Sequence, residues 1–344
     1  MKNLFSPFVT KGLSLKNRVV LPPMCNFAID KNDGIPTDWH FVHYVSRAIG
    51  GVGLIIVEMT NIHPDGRITD KCMGLWDDAQ IAPLKRIVDE CHKYGAKVGI
   101  QIGHAGRKAQ NAKDLVAPSP IPFNTDFKTP RALTAAEIKD TVLQFQKACE
   151  RAVAAGVDTI ELHAAHGYLI HQFHSPLTNM RDDEYGKDLT LFGKEVITAI
   201  KQVIPPEMPL ITRISAMEYV EKGYTIDYAI DIARAYTEAG TDILHITSGG
   251  EGAIGSDGRP GIHAAYQLPL ARKIKESLGI PVIAVGRLNE PNLANAIIGN
   301  EEADLVAVGR AILRNPNWVL EAAHTLGHEI DIPGRLDTGF RINR

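Results

Sequence analysis

Short apolar runs alternate with longer amphipathic stretches along the whole chain. The runs occupy residues 19–21, 54–57, 98–102, 159–162, 210–214, 243–246, 282–285 and 305–308. Between them, and after the last, apolar residues recur at helical spacing over 39–49, 81–94, 135–155, 191–203, 227–239, 265–278, 290–298 and 311–324. Gly53, Gly95, Gly156, Gly240 and Pro281 punctuate many of the joints. Runs this short and apolar, separated by helices, predict parallel strands buried on both faces. Eight β-then-α units in order predict a (β/α)8 TIM barrel of the α/β class. A doubly wound sheet has the same alternation; the count of eight and the chemistry at the strand ends favour the barrel. A barrel takes about 250 residues. The surplus falls in long strand-to-helix loops over 105–134, 164–190 and 248–263, in an N-terminal extension over 1–18 and in a C-terminal tail over 325–344. No linker, low-complexity tract or second domain interrupts the pattern, so 1–344 reads as one domain.

Composition narrows the partners. The chain has 344 residues, 44% hydrophobic and 22% charged, with a formal net charge of −3. Lys and Arg are scattered, which leaves no electrostatic footprint for nucleic acid or an anionic membrane. No apolar run approaches the roughly 20 residues of a membrane span, and the first residues lack the apolar core of a signal peptide. Cys25, Cys72, Cys91 and Cys149 lie far apart with no Cys-x-x-Cys. That spacing argues against disulfide frameworks, structural zinc and cysteine-ligated clusters. The expectation is a cytoplasmic protein with reduced thiols.

In a barrel, functional groups collect at the C-terminal ends of the strands. The fourth end is the richest, Glu161-Leu162-His163-Ala164-Ala165-His166-Gly167-Tyr168-Leu169. Two neutral imidazoles can donate hydrogen bonds to one developing oxyanion, and a nearby phenol can deliver a proton. A metal is the sharper rival for His163 and His166, but no third ligand stands in register. The seventh and eighth ends read Gly286-Arg287 and Gly309-Arg310. Glycine lets backbone N–H groups approach an anion and arginine adds charge, so the pair predicts the phosphate site that barrels place there. Arg213 lies within an apolar run, as either a buried structural ion pair or an inward cation beside an electron-rich ring. Gln101 is either a satisfied core amide or a two-sided partner for a heterocycle edge. Cys25, after Pro22-Pro23-Met24, is either a small buried hydrophobe or a thiol facing a cofactor. Gly250-Glu251-Gly252-Ala253-Ile254-Gly255 matches a dinucleotide fingerprint, but turn-forming residues follow it where a helix is required.

With these stretches the chain resembles the Old Yellow Enzyme family of FMN-dependent ene-reductases, and within it the bacterial thermophilic-like subgroup. The matching text includes Leu4-Phe5-Ser6-Pro7, Pro23-Met24-Cys25, Gln101-Ile102-Gly103-His104-Ala105-Gly106-Arg107-Lys108, His163-Ala164-Ala165-His166-Gly167-Tyr168 and Asp183-Glu184-Tyr185-Gly186. The resemblance implies FMN across the top of the barrel, with NADH or NADPH as reductant. It implies Arg213 by the flavin N1, Thr60 and Gln101 on the pyrimidine edge, and Pro23, Met24 and Cys25 along the ring. Ser248, Gly249 and Val285 join this lining, and Gly286, Arg287, Gly309 and Arg310 meet the phosphate. His163 and His166 would hold a substrate carbonyl or nitro oxygen, Tyr168 would protonate the α-carbon of an activated alkene, and Phe27 and Lys108 would border the substrate. A homo-oligomer, dimer or tetramer, is implied too. The chain departs from the pattern at Phe27, where a tyrosine is usual, and at Lys187-Asp188-Leu189-Thr190. At the tail it reads Thr338-Gly339-Phe340-Arg341 where Arg-Gly-Trp is usual, leaving Arg341 as a candidate replacement for the tail arginine. Two other readings compete. One is a flavin-free barrel isomerase or aldolase on a phosphorylated substrate, for which only Glu58 and Lys108 offer reactive groups. The other is a non-catalytic flavin-binding protein, which would have no use for a proton donor.

Overall fold

The eight apolar runs close into a barrel in the computed structural model, which describes residues 2–252 and 262–340. The strands are β1 Val19–Leu21, β2 Leu54–Asn61, β3 Lys97–Gly103, β4 Thr159–Ala164, β5 Leu210–Ser215, β6 Ile243–Thr247, β7 Val282–Val285 and β8 Leu305–Ala307. Each pairs in parallel with the next, and β8 closes on β1 through Val306 opposite Val19 and Ala307 opposite Val20. The surrounding helices include α1 Asp38–Ile49, α2 Ile81–Lys93, α3 Ala135–Ala154, α4 Leu191–Val203, α5 Ile226–Ala239, α6 Leu268–Leu278, α7 Pro291–Gly299 and α8 Trp318–Thr325. The start of α3 shows how sequence sets a boundary. Thr134 Oγ1 accepts from the Glu137 N–H at 3.3 Å, and Glu137 Oε2 accepts from the Thr134 N–H at 2.8 Å, satisfying two orphan donors of the first turn.

Alternation along each strand divides the core in two. Outward residues such as Ile55, Val57, Ile100, Ile160 and Leu210 pack beneath the helices. Inward residues Val20, Leu54, Ile56, Ile211, Ile243, Ile283 and Leu305 fill the lower barrel. A hairpin within the N-terminal extension, Phe8–Thr10 paired antiparallel with Leu13–Leu15, closes that end. Its Phe8, Leu13 and Leu15 join the inward cluster, each burial contributing roughly 1.5–3 kcal/mol.

Some expected boundaries shift. The last helical stretch, expected unbroken over 311–324, divides into Arg310–Arg314 and α8. Pro316 lacks the N–H that a continuous helix needs and pushes Asn315 into an extended conformation, φ −136° and ψ 101°. The loop after β4 contains a helical turn and a half, Leu169–His174, that the periodicity does not reveal. The loop beyond Gly186 closes quickly: the Thr190 N–H and hydroxyl both donate to Asp188 Oδ1, and α4 begins at Leu191. Ala253 to Gly261, with the last glycine of the decoy fingerprint, Gly255, and Arg341 lie outside the described residues.

Candidate active site

Above the apolar floor the inward positions turn polar. Glu161 on β4, fully buried, accepts from Gln101 Nε2 at 2.7 Å and meets His245 Nδ1 at 2.7 Å. Beside them Arg213 on β5 is 7% exposed, forms no ion pair with a carboxylate among the described residues, and its Nε has no hydrogen-bond partner. Burial pulls the Arg213 pKa down, and the charge of Glu161 opposes that pull. The structural ion-pair reading of Arg213 therefore fails, because Glu161 acts through space and leaves the guanidinium free to face a ligand. Gln101 is the reverse case: its amide is committed to Glu161, and it does not line the cleft above.

That cleft, about 540 Å³, opens at the C-terminal mouth of the barrel. Pro23, Met24, Lys108, His166, Tyr168, Arg213, Ser248, Val285, Gly286, Arg287, Gly309 and Arg310 line it. Cys25, Phe27, Thr60, Gln101, His163 and Gly249 do not. Thr60 is buried, its hydroxyl donating to the Glu58 carbonyl at 2.8 Å. Gly249 holds the β5 and β6 ends together, its N–H on the Met217 carbonyl and its own carbonyl accepting from Ser215 Oγ at 2.7 Å. Phe27 is 46% exposed and stands outside the cleft wall.

His163, His166 and Tyr168 do come together. The His163 ring centroid lies 5.2 Å from that of His166 and 4.8 Å from that of Tyr168, both edge to face. Burial, reinforced by the positive charge of Arg213, holds both histidines well below the usual pKa, so each is neutral at pH 7. The Ala165 N–H donates to His163 Nδ1 at 3.3 Å, which places the ring proton on Nε2. His166 Nε2 meets Thr247 Oγ1 at 3.0 Å, and Thr247 passes its own hydroxyl hydrogen to Gln267 Oε1 at 3.1 Å. His166 Nε2 is therefore a donor too. Burial raises the Tyr168 pKa, so its proton stays in place at neutral pH.

Lys108 ties the rim together. Its ammonium donates to the His166 carbonyl at 2.7 Å and to the Gly250 carbonyl, and lies 4.0 Å over the Phe123 ring. Burial lowers its pKa to about 8. Behind this tether, Arg107 pairs with Glu251, and His171 Nε2 meets Glu218 Oε1 at 3.0 Å. His171, Glu218 and Glu251 are close enough to hold a cation, but the Arg107 guanidinium already supplies the positive charge there.

The far end of the cleft carries Gly286-Arg287 and Gly309-Arg310. Gly286 has φ +130°, which L side chains rarely adopt, and a Cβ on Gly309 would lie 3.1 Å from Met24 Sδ. Neither Arg287 nor Arg310 has a carboxylate partner among the described residues, although Arg287 donates to the Ile262 carbonyl. One cleft thus joins a buried guanidinium without an ion-pair partner at its floor to two arginines without carboxylate partners among the described residues, each beside a glycine turn. Those residues fit FMN: Arg213 would meet its electron-rich ring, and the Gly-Arg turns its phosphate. Glu58, the carboxylate of the rival reading, is unavailable for catalysis. It is fully buried and accepts from Asn26 N–H at 3.0 Å and Asn26 Nδ2 at 2.5 Å.

Three contributors escaped the sequence. Glu161 and His245 share the inward parity of Arg213 within apolar runs, and that shared register was the signal. Gln267 joins the β6 and β7 ends, accepting from Thr247 and Ser248 and donating to the Val285 carbonyl at 3.2 Å; nothing local marks it.

Comparison with known proteins finds relatives along nearly the whole chain. The model of the NADH:flavin oxidoreductase / NADH oxidase family matches residues 3–329. The chain is 44% identical over 342 residues to an NADPH dehydrogenase of Geobacillus thermodenitrificans (strain NG80-2), covering 98% of this chain and 99% of that protein. It is also 44% identical over 344 residues to an NADPH dehydrogenase of Listeria innocua serovar 6a, covering 99% and 100%. Among solved structures, morphinone reductase aligns with a TM-score of 0.80 at 28% identity over 96% of this chain and 91% of that one. A 2-naphthoyl-CoA reductase shares the fold, with a TM-score of 0.86 at 24% identity over 95% and 52%.

Proposed function

The chain belongs to the NADH:flavin oxidoreductase / NADH oxidase family, that of Old Yellow Enzyme, and from that premise we propose that it reduces the activated C=C bond of α,β-unsaturated carbonyl or nitro compounds. Its coarser chemistry, FMN-dependent oxidation of NAD(P)H, follows from membership and sets aside both the flavin-free and the non-catalytic readings. The similarity to NADPH dehydrogenases favours NADPH as the reductant.

One observation carries the finer reading. The buried, unpaired Arg213 faces the same cleft as a phenol and one of two neutral imidazoles, with the second imidazole directly behind. A buried unpaired charge costs several kcal/mol unless a ligand compensates it. The bound flavin supplies hydride exchange between a reduced nicotinamide and an acceptor. The protein's share is to bind, orient and protonate. Arg213 would hold negative charge on the ring, and Gly286, Arg287, Gly309 and Arg310 would hold the phosphate. Pro23, Met24, Ser248 and Val285 complete the cofactor's surroundings, and Cys25, Thr60, Gln101 and Gly249 stand outside that lining. His163 and His166 donate from Nε2 to the acceptor oxygen, drawing electron density from the alkene. His166 gives up one neutral hydrogen bond to Thr247 in doing so, an exchange that costs little. Tyr168 gives its proton to the carbon beside the carbonyl, while Lys108 borders the substrate. We propose a dimer or tetramer as the working assembly, which light scattering on the purified protein tests.

Anaerobic visible spectroscopy tests the reaction. Flavin bands should bleach on NADPH and return on 2-cyclohexenone. Bleaching without return on enones or nitroalkenes would leave an NADPH oxidoreductase with a different acceptor and sink the proposal.

A further inference from the structure

Both site imidazoles carry their hydrogen on Nε2, but for different reasons. At His163 the reason is local, since the Ala165 N–H two residues on occupies Nδ1. At His166 it comes from other strand ends. The His166 backbone is pinned, its N–H on Ser215 Oγ at 3.0 Å and its carbonyl accepting from Lys108 at 2.7 Å. Its Nε2 rests 3.0 Å from Thr247 Oγ1 at the end of β6. A hydroxyl can either give or take a hydrogen bond there.

Gln267 removes that choice. It is 3% exposed and stands between the ends of β6 and β7, just before α6. Its Nε2 donates to the Val285 carbonyl at 3.2 Å, and its Oε1 accepts from the hydroxyls of Thr247 at 3.1 Å and Ser248 at 2.7 Å. Turned over, the amide would set Oε1 against the Val285 carbonyl oxygen, two acceptors with no hydrogen between them. The backbone carbonyl therefore fixes the amide. The amide oxygen can only accept, so it takes the single hydroxyl hydrogen of Thr247. Thr247 then has only lone pairs to offer His166 Nε2. Three successive bonds thus take their direction from one end. Thr247 and Gln267 are both buried, so reversing a bond would strand a polar atom away from water. The same chain gives Gly286 a use apart from any anion. A Cβ there would lie 3.1 Å from Gln267 Nε2 and 3.2 Å from its Cβ, pressing the amide out of line.

We infer that Gln267 is a positioning residue that, through Thr247, holds His166 in the Nε2–H tautomer and, on the reading that His166 donates to the acceptor oxygen, readies the ring for it. No residue near His166 in sequence does this. The control sits about 100 residues further along the chain, which is why the His-x-x-His motif alone does not reveal it.

NMR of the flavin-loaded protein labelled with 15N-histidine tests this, because a ring nitrogen that bears hydrogen and one that does not differ in shift. The His166 signals are identified by their absence from His166→Gln. In the wild type at neutral pH, Nε2 should bear the hydrogen and Nδ1 should not. Gln267→Met removes the amide at similar length and lets the Thr247 hydroxyl turn to donate to His166. The ratio of Nε2–H to Nδ1–H rings should then fall about 2- to 10-fold, the worth of one neutral hydrogen bond. Ser248→Ala removes the other hydroxyl from the same amide oxygen and should leave the ratio where it was. An Nδ1–H ring in the wild type would overturn the inference whether or not the variant folds, and so would an unchanged ratio in Gln267→Met. Turnover of 2-cyclohexenone by Gln267→Met is read separately and should lose a similar factor in kcat/KM. A shifted ratio with unchanged turnover would uphold the tautomer control and remove His166 from the acceptor oxygen, so the two readings fail separately.

Discussion

Tyr168 and Arg213 sit on one cleft but are asked for different things, and substitution separates them. Tyr168→Phe removes a proton donor and leaves the cleft's shape intact. Enone-dependent turnover should fall by about 10²-fold or more, while flavin reduction by NADPH keeps its rate; stopped-flow spectroscopy of the two half-reactions reads both. Equal losses in the two would remove Tyr168 from the proton step. Arg213→Met acts earlier. The buried Glu161 loses the positive charge of Arg213 that faces it, and, on the proposed reading, the cofactor loses a charged partner. A charged hydrogen bond is worth about 1.5–3 kcal/mol, so FMN affinity should weaken by roughly 10- to 150-fold, which flavin-fluorescence titration of the apoprotein measures. Unchanged affinity would make Arg213 a structural group only.

At the scale of elements, α1 meets the break between Arg310–Arg314 and α8 at a point with no room to spare. A Cβ on Gly50, at the C-terminus of α1, would lie 1.8 Å from the Pro316 carbonyl oxygen. Gly50→Ala should therefore cost about 1–3 kcal/mol through forced displacement, read as a lower urea midpoint with unchanged slope. The eight strands were legible because buried parallel strands are nearly pure apolar runs, and Gly286 and Gly309 because turns have few alternatives. Other elements were not. Leu169–His174 has all six residues buried and so shows no polar face to give it a period. The Phe8–Leu15 hairpin is made of three-residue strands whose pattern means nothing without the barrel end they cover. Around the site, the motifs named Tyr168, His163, His166 and Arg213, but periodicity could not tell which polar inward residues were already committed to one another. Gln101 to Glu161 and His245 to Glu161 are partnerships between strands, and register across a sheet is not written in either strand alone.

The whole molecule carries an acid liability. Burial keeps His43, His104, His163, His166 and His174 neutral in the folded state, with His43 and His104 lowered to about 3. In the unfolded chain each titrates near 6.5. Between those limits the unfolded state binds more protons, so stability is present above pH 6.5 and lost as pH falls. The loss is at most about 1.4 kcal/mol per histidine per pH unit. The melting temperature should drop sharply from pH 7 to pH 5, and a flat profile would show the histidines to be accessible when folded. Closure of the barrel has a further consequence, for the chain's birth. Val19 and Val20 are made well before their partners Val306 and Ala307, which lie nearly 300 residues further along the chain. At about 5–20 residues per second that wait is roughly 15–60 s. For all of it the nascent chain presents an open strand edge, beside a hairpin whose Phe8, Leu13 and Leu15 have no floor to cover. Such a newborn chain is a natural client for a chaperone.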